Sequence, residues 1–61
     1  MKKDFIVEVE LADPFYNFEI SFNAGEAHLE SNDSSPGRWA IWIDGKRIIL
    51  DYVTELRIRE S

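Results

Sequence analysis

The feature that most constrains this chain is an alternation of apolar and polar residues that recurs along most of its length. In residues 5–11 and again in 16–22, every second side chain is apolar. A period of two places those side chains on one face of an extended strand, so both segments are predicted to be half-buried β-strands. No segment repeats its apolar residues every 3.6 positions, as the buried face of a helix requires. The pattern predicts an all-β chain.

The first turn is predicted at Asp13-Pro14, where the alternation stops. Proline lacks the backbone N–H that a central strand needs, and Asp-Pro commonly starts a turn. A two-residue loop here places every apolar residue of the first strand opposite an apolar residue of the second, for example Val7 opposite Ile20. A slip of one residue would turn each apolar side chain to the wrong face, so the register is strongly specified.

A second hairpin is predicted around Asp44-Gly45, because an Asp-Gly pair between two strand-like runs is the strongest short-range hairpin signal. A two-residue loop at this point places Trp42 opposite Arg47, which permits a cation–π contact. The same register places Arg38 opposite Asp51 as an ion pair.

The third strand, residues 26–31, is predicted to lie beside the second. Gly25 is expected to supply a positive φ in the intervening turn. A loop of Ala24-Gly25 then pairs Phe22 with Ala27. The polar residues 31–37 that follow form a loop long enough to cross a sheet or to connect two sheets.

The last strand has two predicted positions. A loop of residues 53–55 would pair residues 56–58 with the end of the preceding strand. Alternatively, the last strand turns away and closes against the first strand. A short helical turn over residues 51–56 is the minority alternative.

These pairings predict a single β domain over residues 1–61, an antiparallel meander of five to six strands. One flat sheet of this size cannot bury its apolar face alone, so the sheet is expected to curl into a barrel-like or half-sandwich form, or to be covered by a second copy of the chain. The residues predicted to face inward are Phe5, Val7, Val9, Leu11, Tyr16, Phe18, Ile20, Phe22, Leu29, Trp39, Ile41, Ile48, Leu50, Tyr52, Leu56 and Ile58.

The amino-acid composition limits which cofactors the chain can hold and which cellular location is expected for it. The chain has no cysteine and one histidine, which excludes a disulfide and a Cys/His zinc site. The basic start leads into no apolar stretch, because Glu8 and Glu10 interrupt it. No segment approaches the ~20 apolar residues of a membrane span. A cytoplasmic protein with no membrane contact, no cofactor and no metal is therefore predicted.

The acidic residues are unevenly placed in a chain of formal net charge −5. In the registers above, Glu8 faces Glu19 and Glu19 faces Glu30, which makes a row of carboxylates about 5 Å apart. Glu10 and Glu26 lie on the same side. Such neighbours repel by about 1 kcal/mol per pair even in water. The row does not help folding, so it indicates either a solubilising surface or a binding surface.

The leading functional prediction is a non-enzymatic protein–protein interaction module, a small inhibitor or adaptor that docks an acidic sheet face on a basic partner surface. Phage-encoded inhibitors of host nucleic-acid-binding proteins have comparable size and charge, which is an analogy of scale and not of sequence. The predicted partner-binding residues are Glu8, Glu10, Glu19, Glu26, Glu30 and Trp42.

Two alternatives remain open. One sheet face could bind single-stranded nucleic acid by stacking its bases and neutralising its phosphates, although the net negative charge of the chain argues against this. That face would comprise Arg38, Trp42, Arg47, Arg57 and Arg59. Alternatively, the chain is a structural subunit that works as a homo-oligomer, at its simplest a homodimer in which the basic half of one copy docks on the acidic half of another.

Two further features of the sequence are an apolar patch and a single histidine. Trp42, Ile49, Val53 and Ile6 are predicted to form an exposed apolar patch, which is typical of interfaces. His28 is predicted to lie near a serine and two glutamates, but a Ser–His–Glu triad also needs an oxyanion hole and a concave pocket. A small meander offers neither, so no catalytic residue is predicted.

Overall fold

The computed structural model describes residues 1–12, 15–32 and 34–61, and for Phe15 the backbone only. The described residues form two three-stranded antiparallel sheets, one in the order β2-β1-β6 and one in the order β3-β4-β5. The all-β antiparallel prediction is confirmed, and two facing sheets fit the half-sandwich form better than a closed barrel. The strands are β1 (Lys3–Ala12), β2 (Phe15–Ala24), β3 (Ala27–Ser31), β4 (Trp39–Ile43), β5 (Lys46–Leu50) and β6 (Val53–Glu60).

The two predicted hairpin registers are confirmed. β1 pairs with β2 so that Val7 lies opposite Ile20, although the turn predicted at Asp13-Pro14 falls outside the described residues. β4 pairs with β5 so that Trp42 lies opposite Arg47. Both registers follow from alternation, since only these pairings place apolar side chains together on the inner face.

The predicted pairing of β3 with β2 is wrong. Ala27 lies opposite Ile43 of β4, not opposite Phe22. The chain leaves one sheet after Ala24 and enters the other, so the segment after Ser31 connects β3 to β4 as a hairpin instead of crossing between sheets. Backbone hydrogen bonds tighten that hairpin, including 3.2 Å from Asn32 N–H to the Arg38 carbonyl.

Asp44 holds this crossover in place. Its Oδ1 accepts hydrogen bonds from the backbone N–H groups of Gly25 (2.9 Å) and Glu26 (3.0 Å). Gly25 does not have the predicted positive φ; among the described glycines, Gly37 and Gly45 do. A Cβ at Gly25 would lie 3.2 Å from Asp44 Oδ1, so a larger residue there would require the Asp44 side chain to shift by a few tenths of an ångström. The β4–β5 turn is thereby tied to the β2–β3 connection.

The last strand closes against the first, so the alternative position predicted for it is confirmed and its pairing with β5 is wrong. Val9 lies opposite Leu56, with a register shift between Glu10 and Leu11. Residues 51–56 form no helical turn. The chain turns instead at Tyr52, whose φ is +64°, and its carbonyl accepts a hydrogen bond from Ala12 N–H at 2.9 Å.

The core lies between the two sheets. Val7 and Val9 of β1, Ile41 of β4, and Val53 and Leu56 of β6 form one buried apolar cluster. Most other residues predicted to face inward are half-buried against it. Because Val53 is only 5% exposed, its assignment to an exposed patch is wrong.

Three residues predicted to face inward are exposed: Tyr16 (58%), Ile48 (48%) and Tyr52 (75%). Tyr16 and Ile48 lie on the edge strands β2 and β5, and Tyr52 lies at the corner before β6. Within the described ranges, no helix is long and apolar enough to cross a membrane.

Candidate functional site

The outer face of the β2-β1-β6 sheet carries an open acidic groove of about 450 Å³. Glu8 and Glu10 point outward because they alternate with buried valines on β1. The pairing of β1 with its neighbours then places Glu19 opposite Glu8 and Glu55 opposite Glu10. The residues that line this acidic groove are Glu8, Val9, Glu10, Asn17, Phe18, Glu19, Glu55 and Arg57.

The carboxylates on β1 and β2 are partly neutralised by an arginine of β6. Arg59 Nε lies 3.2 Å from Glu8 Oε1, and Arg59 Nη2 lies 3.5 Å from Glu19 Oε2. The alternation of β6 places this guanidinium beside the groove, opposite Ile6 of β1. The repulsion expected between Glu8 and Glu19 is therefore offset within the sheet, at a surface where such pairs contribute modestly.

A second arginine serves the other end of the acidic groove. Arg57 Nε donates a 2.7 Å hydrogen bond to Glu55 Oε1. This hydrogen bond and the charge of Glu55 raise the pKa of Arg57 above its ordinary value. Glu10 makes no ion pair with any described residue, and its cross-strand neighbours are Asn17 and Glu55. The groove thus holds four carboxylates against two guanidiniums, and Glu10 is the one of the four that forms no ion pair with a described residue, although its charge also helps to raise the pKa of Arg57.

The remaining predicted contact residues lie elsewhere. Glu30 is on β3, opposite Ala40, and its Oε1 accepts a 3.2 Å hydrogen bond from Trp42 Nε1. Glu26 lies at the β2–β3 crossover. The structure therefore brings three of the predicted glutamates together and leaves Glu26, Glu30 and Trp42 off the groove. Sequence reasoning missed Glu55, which it would have found had the last strand been paired with the first.

The outer face of the β3-β4-β5 sheet carries an aromatic stack. His28, Trp42 and Arg47 are direct cross-strand neighbours. The His28 and Trp42 rings are 5.8 Å apart with an interplanar angle of 9°, and Arg47 Cζ lies 5.7 Å from the Trp42 ring centre. Trp42 lies between these two neighbours, which is typical of cross-strand packing on an outer face.

The arginines predicted for a nucleic-acid face are divided between the two sheets. Arg57 and Arg59 lie by the acidic groove in ion pairs with glutamates. Arg38 directly precedes β4 of the other sheet, and its Nε donates to Asp51 Oδ1 at 2.7 Å. That hydrogen bond raises the pKa of Arg38. The structure does not gather the set into one phosphate-binding surface.

The considered Ser–His–Glu arrangement is not assembled, because Ser21 lies on β2 opposite Ile6 while His28 lies on the other sheet. In the described part of the chain, no three carboxylate or imidazole groups converge as metal ligands would. No protein-family model, curated protein sequence or solved structure matches this chain.

Proposed function

We propose that this chain is a non-enzymatic interaction module whose acidic groove binds a basic surface of a partner protein. The observation that carries the proposal is the placement of four glutamates from three strands around one open groove, where Glu10 forms no ion pair with a described residue. A solubilising surface needs dispersed charge, whereas this charge is concentrated in a depression.

The fold supports such a role because the glutamates project from paired strands. Each groove carboxylate sits on a paired strand, so binding does not have to order the backbone beneath it; each glutamate side chain that binding fixes still costs rotamer entropy. Long cationic side chains of a partner can enter a volume of about 450 Å³ and replace Arg57 or Arg59 as counter-ions. Contacts of this kind speed association and select a basic partner, and salt weakens them.

The biological form of this activity is that of a small inhibitor or adaptor in the cytoplasm. A basic surface is what nucleic-acid-binding proteins present to their ligand. A chain that covers such a surface with carboxylates competes with phosphate. Inhibition of a nucleic-acid-binding protein of a host cell by a viral protein is one setting that fits this chemistry.

The test uses an arginine-rich peptide as the probe, titrated into the full chain at low salt and followed by amide NMR shifts. Glu10→Gln removes a groove charge that forms no internal ion pair, so folding is unaffected and binding weakens severalfold. Glu26→Gln is the matched control, since it makes the same change of charge away from the groove. Shifts in the native chain should cluster on the outer faces of β1, β2 and β6.

Two results would contradict binding at the acidic groove. Equal weakening by Glu10→Gln and Glu26→Gln would mean that the peptide responds only to net charge. Shifts spread over both sheets would mean the same. A steep loss of binding with added salt is expected in either case, so it does not discriminate.

A further inference from the structure

β5 (Lys46–Leu50) is an open edge of the β3-β4-β5 sheet, with no described strand on its outer side. Ile48 and Ile49 point to opposite faces of this strand and are 48% and 49% exposed. The strand has no proline and no irregularity in its pairing with β4. Edge strands are usually protected by such features, by short length or by charged residues, because their unpaired backbone groups can pair with another chain. β5 is five residues long and begins with Lys46 and Arg47, so charge protects its start and leaves residues 48–50 open.

The turn before β5 determines which backbone groups face the open edge. Asp44-Gly45 is a two-residue loop with φ values of 48° and 84°, the positive φ pair of a type I′ hairpin. In such a hairpin the flanking residues, Ile43 and Lys46, are hydrogen-bonded to each other, and every second residue repeats this. The alternate residues Arg47 and Ile49 therefore direct their N–H and C=O groups outward.

We propose that a second copy of the chain pairs with β5 in antiparallel orientation, about a twofold axis at Ile49. In this register Ile49 lies opposite Ile49 of the second copy and exchanges backbone hydrogen bonds with it. Ile48 lies opposite Leu50 of the second copy, and Arg47 lies opposite its Asp51. The two sheets join into one of six strands.

Charge complementarity selects both the occupant and the register. β5 is basic at its start, and Asp51 follows its end, so reversing a second copy brings opposite charges together. Centring on Ile48 instead would place Arg47 opposite an isoleucine. The Asp51 side chain is 48% exposed and has acceptor capacity beyond its bond to Arg38.

The contact area between the two copies is small, which limits the affinity of the dimer. A ladder of residues 47–51 from each copy buries less than the ~1,200 Å² of a stable complex, so the dimer is expected to be reversible and populated at high micromolar concentration. The β5 edge belongs to the other sheet from the acidic groove. The dimer therefore goes beyond the proposed function, and either can fail without the other.

The first experiment is sedimentation of the full chain from low micromolar to millimolar concentration, with amide hydrogen exchange at both ends of that range. The expected result is a monomer–dimer equilibrium. The amides of Arg47 and Ile49 become protected as concentration rises, while the Ile48 amide, bonded to β4, is protected throughout. A chain that stays monomeric, or that grows beyond a dimer, overturns the proposal.

Two matched variants complete the test. Ile49→Lys places two lysines opposite each other at the twofold axis, and the chain is expected to remain monomeric over the whole range. Tyr16→Lys makes the same charge change at an exposed apolar residue of the other sheet and is expected to dimerise as the native chain does. Equal loss of dimerisation in both variants overturns the proposal. Ile49→Lys should still bind the arginine-rich peptide, which separates this outcome from failure of the groove.

Discussion

Tyr52 stands in a backbone conformation that tyrosine rarely adopts. Its φ of +64° turns the chain from β5 into β6, and its carbonyl bonds to Ala12 N–H. Its side chain is 75% exposed and contributes little packing. The left-handed region costs a residue with a Cβ roughly 1–2 kcal/mol, and less for asparagine, whose short polar side chain bonds locally.

Tyr52→Asn is therefore expected to stabilise the chain by about 0.5–1 kcal/mol. Urea denaturation measures the change. Tyr16→Asn is the control, because Tyr16 lies in an ordinary strand and its ring contacts Phe18 at a centroid distance of 5.7 Å, so the same replacement should destabilise there. A loss of stability in Tyr52→Asn would mean that its exposed ring carries packing that the backbone argument ignores.

At the scale of elements, sequence reasoning succeeded where two strands are joined by a short turn. The Asp44-Gly45 turn and the alternation around it determine the β4–β5 register, because only one pairing keeps the inner face apolar. β3 differs, since its short alternation fits either neighbour, and Gly25 permits a hairpin or a crossover equally well. The side-chain bonds of Asp44 that decide between them join residues 18 and 19 positions apart.

The residues of the candidate site could likewise be predicted where a short turn joins the strands that carry them. Glu8, Glu10 and Glu19 are grouped by the β1–β2 register, which alternation predicts. Glu55 and Arg59 arrive with β6, whose partner is about fifty residues distant in sequence. A signal for that pairing existed: the carboxylates of the first strands lack cations, and β6 supplies arginines with the matching period of two.

Arg59 is expected to act as a bridge within the β2-β1-β6 sheet. Arg59→Gln leaves Glu8 and Glu19 facing each other without a counter-ion and should cost about 0.5–1 kcal/mol at low salt, given how exposed the three side chains are. Thermal unfolding at low and high salt measures the effect, which should shrink with salt. In a Glu19→Gln background the cost should fall; an unchanged cost would show that the bridge contributes nothing.

At the scale of the whole molecule, the most deeply buried of the described residues in the β3-β4-β5 sheet lies on β4. Ile41 is 2% exposed and is the member of the central cluster contributed by the β3-β4-β5 sheet. A domain of this size has only about 3–5 kcal/mol of net stability. Loss of contacts at Ile41 therefore removes much of the free energy that holds the two sheets together.

Ile41→Ala is expected to destabilise the chain by about 2–4 kcal/mol, and Ile41→Val by about 1 kcal/mol. Chemical denaturation with two probes, tryptophan fluorescence for the β3-β4-β5 sheet and circular dichroism for the whole chain, gives the measurement. Both tryptophans lie in β4, so fluorescence reports one sheet selectively. Coincident transitions are expected, because neither sheet can bury its inner face alone. Separate transitions would mean that each sheet folds independently.

The position of β1 between β2 and β6 also governs the order in which the molecule can assemble. Ser61 N–H donates to the Asp4 carbonyl at 2.9 Å, and Lys3 Nζ lies 3.2 Å from Glu60 Oε1. During synthesis, β1 can pair with β2 early but acquires its second neighbour only after β6 has been made. Until then one side of β1 is an unprotected template, and folding should be slow for so small a chain. Joining the two ends by a short linker and opening the chain at the 31–37 loop would make β6 and β1 successive, and refolding should accelerate.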